Sequence, residues 1–202
     1  EVKFYLKILL VASIVVITVL WYENSFSSVD AIRLGLFHIV SIFTTTGFAT
    51  DDFANWPGML PFLIFFGAFI GACAGSTGGG VKVIRVLLIC KQGLREVPRL
   101  IHPNAVFPVK VNQRRMPGQI MEAVWGFFSI YVIAFLFIQL ALIMTGMDFV
   151  TAFSAVGATI NNLGPGLGSV AKNYANITDS AKMMLCFTMM LGRLEIFTLL
   201  VL

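Results

Sequence analysis

Residues 30–50 read DAIRLGLFHIVSIFTTTGFAT, and this stretch decides the fold. It opens with an aspartate, a residue favoured as a helix N-cap, and continues as an apolar run of about four turns. At 1.5 Å per residue such a helix is roughly 22–25 Å long, which is marginal for crossing a bilayer. Because the run ends in three threonines followed by Gly47, the pattern predicts a helix that enters the membrane and returns.

A second copy of this pattern lies near the end of the chain. Residues 148–168 read DFVTAFSAVGATINNLGPGLG, again an aspartate, a short apolar run, polar residues and a glycine. Gly47 and Gly164 are 117 residues apart, and Asp30 and Asp148 are 118 apart. This shared order predicts an internal repeat. Two such units form half of a pore with four-fold pseudo-symmetry. The complete pore would therefore be formed either by two copies of this chain or by this chain and two further units.

Longer apolar segments flank both short ones, at residues 4–22, 57–81, 119–145 and 180–202. A helix needs about 20 apolar residues to cross a bilayer, so each of these segments is a candidate span. The chain is 58% apolar and 12% charged, against about 45–50% and 25% in soluble domains. The composition excludes a disordered chain, a secreted disulfide scaffold and a nucleic-acid-binding domain. It predicts an all-α membrane protein with two membrane–pore-loop–membrane repeats.

The charges are distributed unevenly along the chain. Of fourteen Lys and Arg residues, eight fall between residues 82 and 115, and cytoplasmic loops are enriched in these residues. We therefore expect one repeat at 1–90, a basic cytoplasmic connector at 91–117 and a second repeat at 118–202. Six of the ten acidic residues lie on the opposite side, where they would favour cations. An equally good interpretation is that they are ordinary solvated loop charges.

The two glycine-bearing turns, loop A (residues 44–50) and loop B (residues 161–168), suit cation selectivity. A dehydrated cation needs oxygen ligands, and backbone carbonyls and threonine hydroxyls supply them. Glycine allows the torsions that turn successive carbonyls towards one axis, and a re-entrant helix directs its partially negative end at the ion. TTTG alone also fits an ordinary helix C-terminus followed by glycine. The occurrence of two such turns, in the same order between spans, favours the filter hypothesis.

The second apolar segment contains a glycine-rich stretch, AGSTGGGVK at residues 74–82. Each glycine in a helix interior costs about 1 kcal/mol relative to alanine, so the helix is predicted to break here. A phosphate-binding P-loop is not expected, because Val83 follows Lys82 where that motif needs Ser or Thr. Two hypotheses remain. The glycines serve close helix packing, or they form a flexible intramembrane loop beneath the filter.

Arg193 lies within the last apolar segment, about 21 Å along a helix from Asp179. A charge at bilayer depth is costly and usually faces a cavity or a partner. Arg193 is therefore predicted to extend to the inner membrane surface, or to lie beneath the filter against residues 75–80. In the second case it would repel cations and hold the glycine-rich stretch closed.

Four motifs carry a resemblance to a known family: TTTGFAT at 44–50, AGSTGGGVKVIR at 74–85, NNLGPGLG at 161–168 and LGRLEIF at 191–197. The chain resembles the C-terminal half of TrkH-type potassium-uptake proteins, in the Trk/Ktr/HKT superfamily. The resemblance implies four membrane–pore-loop–membrane repeats in one polypeptide, of which this chain holds the third and fourth. It also implies that Gly47 and Gly164 are filter glycines, that the glycine-rich stretch is a gate, and that Arg193 helps to close it.

The expected site residues fall into two groups. The filter is predicted at Thr45, Thr46, Gly47, Phe48, Asn162, Leu163, Gly164 and Pro165, with K⁺ held at Thr46, Gly47, Leu163 and Gly164. The gate is predicted at Gly75, Ser76, Thr77, Gly78, Gly79, Gly80 and Arg193. K⁺ is the expected transported ion, and no covalent cofactor is expected.

The expected function is K⁺ uptake across the bacterial inner membrane, and no enzymatic constellation is present in the membrane segments. The alternatives are a non-conducting membrane scaffold and a Na⁺-conducting relative. Glycine at both filter positions favours K⁺, since in plant members a serine there accompanies Na⁺ preference. A homodimer is expected, and the resemblance implies a cytosolic, nucleotide-binding TrkA-type ring as partner. The basic connector suits anionic membrane lipid equally well.

Overall fold

The computed structural model describes residues 1–23, 26–76, 78–101, 107–111 and 114–194. These residues form seven α-helices: α1 (Val2–Tyr22), α2 (Ser28–Phe43), α3 (Leu60–Ile70), α4 (Val83–Ile101), α5 (Gly118–Met144), α6 (Phe149–Ile160) and α7 (Asp179–Arg193). The all-α prediction is confirmed. One small exception, which the sequence did not indicate, is a hairpin in the connector, where β1 (Lys110–Val111) pairs antiparallel with β2 (Arg114–Arg115).

Helices α1 and α5 are the two described helices that are long and apolar enough to cross a membrane. Only 22% and 28% of their most apolar windows are buried within the chain, so neither is the central helix of a soluble core. Their outer faces are apolar, with Leu10 60% and Phe137 74% exposed. Such faces suit lipid or neighbouring membrane segments.

The two short helices α2 and α6 begin with side-chain caps. Asp148 caps α6 as predicted, since its carboxylate accepts a hydrogen bond of 3.0 Å from the backbone N–H of Thr151. The expectation that Asp30 caps α2 is wrong. Ser27 is the cap, and its hydroxyl accepts from the N–H of Asp30 while donating to the Asp30 carboxylate. A capping box of this kind places the acidic residue inside the first turn.

The second predicted span is interrupted, as the glycine-rich stretch indicates. Helix α3 leaves the helical path at Gly71, whose φ is +69°, and α4 resumes the helix at Val83. Residues 71–82, here called the glycine loop, connect them. Pro98 lies inside α4. Since α4 also runs through position 90, the boundary between repeat and connector remains a prediction.

The cores of the two repeats meet between α3 and α6. Phe65 and Phe69 of α3 lie against Phe153 of α6, with ring centroids 6.2 and 6.4 Å apart. Phe135 of α5 approaches Phe153 to 5.3 Å. This aromatic cluster packs α3 of the first repeat against α6, the re-entrant helix of the second, through side-chain contacts.

Candidate functional site

Loops A and B have the same backbone conformation. Thr45 and Asn162, 117 residues apart, both adopt the left-handed region, with φ of 55° and 52°. Two residues later, Gly47 and Gly164 have φ of 79° and 105°. Left-handed torsions are uncommon outside glycine. Their recurrence at the same offset supports the internal repeat at the level of single residues.

The hydrogen bonds that end the two re-entrant helices also match. The carbonyl of Ser41 accepts from the N–H groups of Thr46 and Gly47, at 2.8 and 3.3 Å. The carbonyl of Ala158, again 117 residues on, accepts from the corresponding N–H groups of loop B, at 2.8 and 3.5 Å. Each helix therefore closes with one carbonyl shared by two donors.

The two loops touch each other. A methyl group added at Gly47 would overlap the carbonyl oxygen of Leu163 and lie 3.4 Å from the Pro165 side chain. Glycine is required at position 47 both by this close approach and by the positive φ. The predicted filter residues of the two repeats are therefore brought together at one place, neither loop continuing as helix.

Buried hydroxyl groups brace the outer part of each loop. Ser41 donates to the carbonyl of Phe48 at 2.7 Å. In the second repeat, the hydroxyl of Ser154 donates to the carbonyl of Leu167 and accepts from its N–H, both at 2.9 Å. The Phe48 side chain is 70% exposed, so this residue takes part in loop A through its backbone.

An outer cavity of about 710 Å³ opens above the contact between the loops. It is lined by Gly47 and Gly164 and by charged side chains of both repeats. Lys172 forms an ion pair with Asp52 at 3.5 Å. Asp51 accepts from the indole N–H of Trp56 at 2.9 Å. The cavity thus carries two carboxylates and one ammonium group within reach of the filter loops.

The glycine loop lies against the other side of loops A and B. The N–H of Gly79 donates to the hydroxyl of Thr45 at 3.0 Å, and a methyl group added at Gly79 would overlap the backbone carbonyl of Asn161. A methyl group added at Gly78 would lie 2.9 Å from the Thr45 hydroxyl oxygen. Gly78 and Gly79 are therefore brought to the filter loops, whereas Gly75 and Ser76 are exposed and Thr77 lies outside the described residues.

Lys82 anchors the glycine loop. Its side chain is buried, and its ammonium group donates to the carbonyls of Ser76, at 2.8 Å, and Gly78. Its backbone has a φ of 73°, an unfavourable torsion for a long side chain. A buried ammonium group needs such partners. The local sequence around Lys82 gives no sign of this contact.

Arg193 is the last residue of α7 and is exposed among the described residues. A buried position beneath the filter, which the two further repeats of the pore would create, stays a prediction. Helix α7 buries Leu185, Thr188 and Leu191, and Arg193 follows Leu191 by about 200° around the helix, off that face. The adjacent Gly192 does lie against the end of α6, where a methyl group would overlap the carbonyl of Ile160. Residues 195–197 of the same motif lie outside the described residues.

Three tyrosines that the sequence analysis did not select donate to the ends of the re-entrant helices or to loop B. Tyr5 donates to the carbonyl of Phe43 at 3.1 Å, and Tyr131 to the side-chain oxygen of Asn161 at 2.8 Å. Tyr174 donates to the carbonyl of Gly164, also at 2.8 Å. Tyr5 and Tyr131 each lie in a largely apolar helix. The sequence could have indicated these two residues, because a buried tyrosine hydroxyl needs a hydrogen-bond partner.

No group of three or more His, Cys, Asp and Glu side chains within the described ranges is placed to hold a metal ion. The oxygen atoms that loops A and B themselves offer are backbone carbonyls and hydroxyl groups, hard donors that suit alkali and alkaline-earth cations.

The chain is similar to several known proteins. Residues 3–202 match the family model TrkH, described as a cation transport protein. The chain is 51% identical over 203 residues to the Trk system potassium uptake proteins TrkH of Salmonella typhimurium and Escherichia coli K12, covering all of this chain and 42% of each relative. It is 36% identical over 202 residues to TrkG of Escherichia coli K12, again over 42% of that protein.

A solved structure is also similar. The crystal structure of the potassium transporter TrkH from Vibrio parahaemolyticus superposes with a TM-score of 0.93 and 51% identity. The match covers 98% of this chain and 43% of that one. The resemblance noted in the sequence is confirmed, and the chain spans less than half the length of the relatives it matches. It belongs to the TrkH family of cation transport proteins, a family of transporters and not of enzymes.

Proposed function

We propose that this chain forms half of a K⁺-conducting pathway that serves potassium uptake. The observation that carries the proposal is the contact between Gly47 and Leu163, made by two loops with matching left-handed torsions. The relatives named above are potassium uptake proteins. Because the chain spans 42% of their length, two further repeats of the same polypeptide would complete the ring.

The filter would consist of backbone carbonyls from both loops. K⁺ would be coordinated at Thr46, Gly47, Leu163 and Gly164, with Thr45, Phe48, Asn162 and Pro165 completing the two turns. Carbonyl oxygens can replace the hydration shell of K⁺ at little cost. The ends of α2 and α6 add their partial negative charge at the same place.

The glycine loop would be the gate. Its contacts with Thr45 and Asn161 would obstruct the path of an ion leaving the filter towards the cytoplasm. Opening would require Gly78 and Gly79 to move away from the filter loops. The hydrogen bonds from the Lys82 ammonium group to the Ser76 and Gly78 carbonyls would then either break or move together with the loop. Arg193, next to Gly192 at the end of α6, would add a positive charge near this passage and slow cations.

The basic side would face the cytoplasm of a bacterial inner membrane. Helix α4 carries Lys91, Arg95 and Arg99 on one stripe and exposes Leu94 and Val97 beside it. This surface suits anionic lipid headgroups or a cytosolic TrkA-type ring. A homodimer of the complete protein is also part of the proposal.

The test replaces the matching segment of Escherichia coli TrkH with this chain and measures K⁺-dependent growth and K⁺ uptake in a strain without other K⁺ uptake systems. Gly47→Ser is expected to abolish K⁺ uptake, since the new side chain would overlap the Leu163 carbonyl. Gly58→Ser is the matched control, because Gly58 also has a positive φ but no atom near its added Cβ.

Loss of uptake in both variants would indicate damage from backbone strain alone. Unchanged uptake with Gly47→Ser would contradict the filter and favour the scaffold alternative. Na⁺ uptake by the unsubstituted chimera at the rate of K⁺ uptake would favour the Na⁺-conducting alternative.

A further inference from the structure

Tyr174 connects the segment after loop B with the candidate filter. Its hydroxyl donates to the Gly164 carbonyl at 2.8 Å. The residue lines both the outer cavity, with Gly47 and Lys172, and an apolar cavity of about 360 Å³ that Ile177 also lines. The phenol is thus placed between a polar mouth and an apolar pocket.

The phenol is a donor throughout the physiological pH range. Burial raises the pKa of Tyr174 to about 12, because the uncharged form is favoured where water is excluded. The hydrogen bond to Gly164 therefore has a protonated donor whenever the chain is folded in a living cell.

Gly47 and Gly164 differ in whether a tyrosine hydroxyl donates to their carbonyl oxygen. The segment that follows loop A, residues 51–59, contains no tyrosine. Among the hydrogen bonds between described residues, none reaches the carbonyl of Gly47. Gly47 and Gly164 share a positive φ, but among the described residues only the Gly164 carbonyl accepts a hydrogen bond from a phenol.

We propose that Tyr174 is a specificity-determining residue of the filter, an inference that rests on the proposed K⁺ pathway. A carbonyl oxygen has two lone pairs, so Gly164 can accept from the phenol and still face an ion. The hydrogen bond restrains the carbonyl from closing around a smaller cation. It also draws electron density from the oxygen and lowers its attraction for strongly hydrated Na⁺. Both effects favour K⁺ over Na⁺, because selectivity depends on the position and field strength of the ligands.

A merely structural role for Tyr174 would have a different consequence. In that case the phenol fastens residues 171–178 to loop B, and its loss lowers the amount or stability of the protein without changing which ion passes. The ratio of K⁺ to Na⁺ transport separates the two roles, since the ratio does not depend on how much protein reaches the membrane.

The experiment uses the chimera with Escherichia coli TrkH described above and compares K⁺ with Na⁺ uptake. Tyr174→Phe removes only the hydroxyl and is expected to lower the K⁺/Na⁺ ratio by about two- to tenfold, the change expected for the loss of one hydrogen bond. Tyr22→Phe is the matched control, because Tyr22 is 82% exposed at the end of α1, and it is expected to leave the ratio unchanged.

A second measurement does not require conduction. Purified protein is titrated with K⁺ and with Na⁺, and the concentrations that half-maximally raise the unfolding temperature are compared. Tyr174→Phe is expected to bring the two concentrations closer together. An unchanged ratio in both assays, with the unsubstituted chimera conducting K⁺, would overturn the role of Tyr174. A chimera that conducts no K⁺ would instead overturn the proposed function.

Discussion

The backbone carbonyl of Asn161 lies directly against the Cα of Gly79, so the glycine loop of one repeat touches the end of the re-entrant helix of the other. This contact joins the two parts of the proposed pathway, filter and gate, through atoms of the main chain. A side chain at position 79 could be accommodated only if the glycine loop or the end of α6 moved. The gate is therefore expected to respond to small changes on either side of the contact.

Gly79→Ala tests this contact. The added methyl group would overlap the Asn161 carbonyl and push the glycine loop away, at a cost of about 1–3 kcal/mol in stability. We expect K⁺ uptake by the chimera to increase in cells that lack the cytosolic regulator, measured as uptake rate per protein. Gly93→Ala in α4 is the control, since Gly93 has no positive φ and a methyl group there meets no atom within 4 Å. Equal effects of the two substitutions would contradict the contact as a gating element.

Lys82→Met removes the ammonium group and keeps the length of the side chain. The carbonyls of Ser76 and Gly78 then lose a charged donor, and hydrogen bonds to charged groups are worth about 1.5–3 kcal/mol. We expect a looser glycine loop and K⁺ leakage without the regulator. Lys91→Met is the control, because Lys91 donates to the Lys110 carbonyl in the connector. A Lys82→Met protein as tightly closed as the unsubstituted one would count against Lys82 as the anchor.

Thr45→Val removes the hydroxyl that accepts from the Gly79 N–H. Gly79 is buried, and an unsatisfied buried donor costs about 1–3 kcal/mol. The variant is expected to unfold at a lower temperature and to leak K⁺. Thr45→Ser keeps the hydroxyl and should restore both properties. Failure of the serine variant to restore them would assign the effect to side-chain shape and not to the hydrogen bond.

Acid should weaken the second re-entrant helix through its cap. Hydrogen bonds from Thr151, first from its side chain and then from its backbone, lower the pKa of Asp148. A carboxylate with a lowered folded-state pKa contributes stability above its unfolded pKa, and this contribution is lost as pH falls through the folded value. We expect the unfolding temperature of the purified chimera to decrease when the pH is lowered beyond about 4.

In Asp148→Asn this part of the acid dependence should be absent, because asparagine caps a helix without titrating. Asp179→Asn is the control, since Asp179 lies in the first turn of α7, where Thr178 is the cap. An Asp148→Asn protein with the same acid dependence as the unsubstituted one would exclude the cap as the titrating group.

Much of the fold follows from the sequence because apolar length and glycine position are strong signals. The runs around α1 and α5 predicted two spanning helices, and Asp148 predicted the start of α6. The choice of Asp30 over Ser27 was wrong because both are good N-caps, and only the backbone decides which one precedes the first turn. The hairpin at Lys110 was missed because two-residue strands carry no periodic pattern.

The parts of the site that depend on local backbone conformation could be predicted from the sequence. The parts that depend on contacts between distant residues could not. Gly47 and Gly164 could be selected, since a glycine after a polar helix end has a local meaning. Lys82 and Tyr174 could not be selected in this way, because their hydrogen bonds are set by how the loops pack. The exposure of Arg193 shows the same limit, since a charge in an apolar segment does not reveal which face of the helix it occupies.

The most direct test of the central claim is the position of bound ions in crystals of the chimera grown with Tl⁺, which replaces K⁺ and scatters anomalously. We predict anomalous density in contact with the carbonyl oxygens of loops A and B, at Gly47 and Leu163. Well-ordered loops with Tl⁺ bound only elsewhere would contradict it.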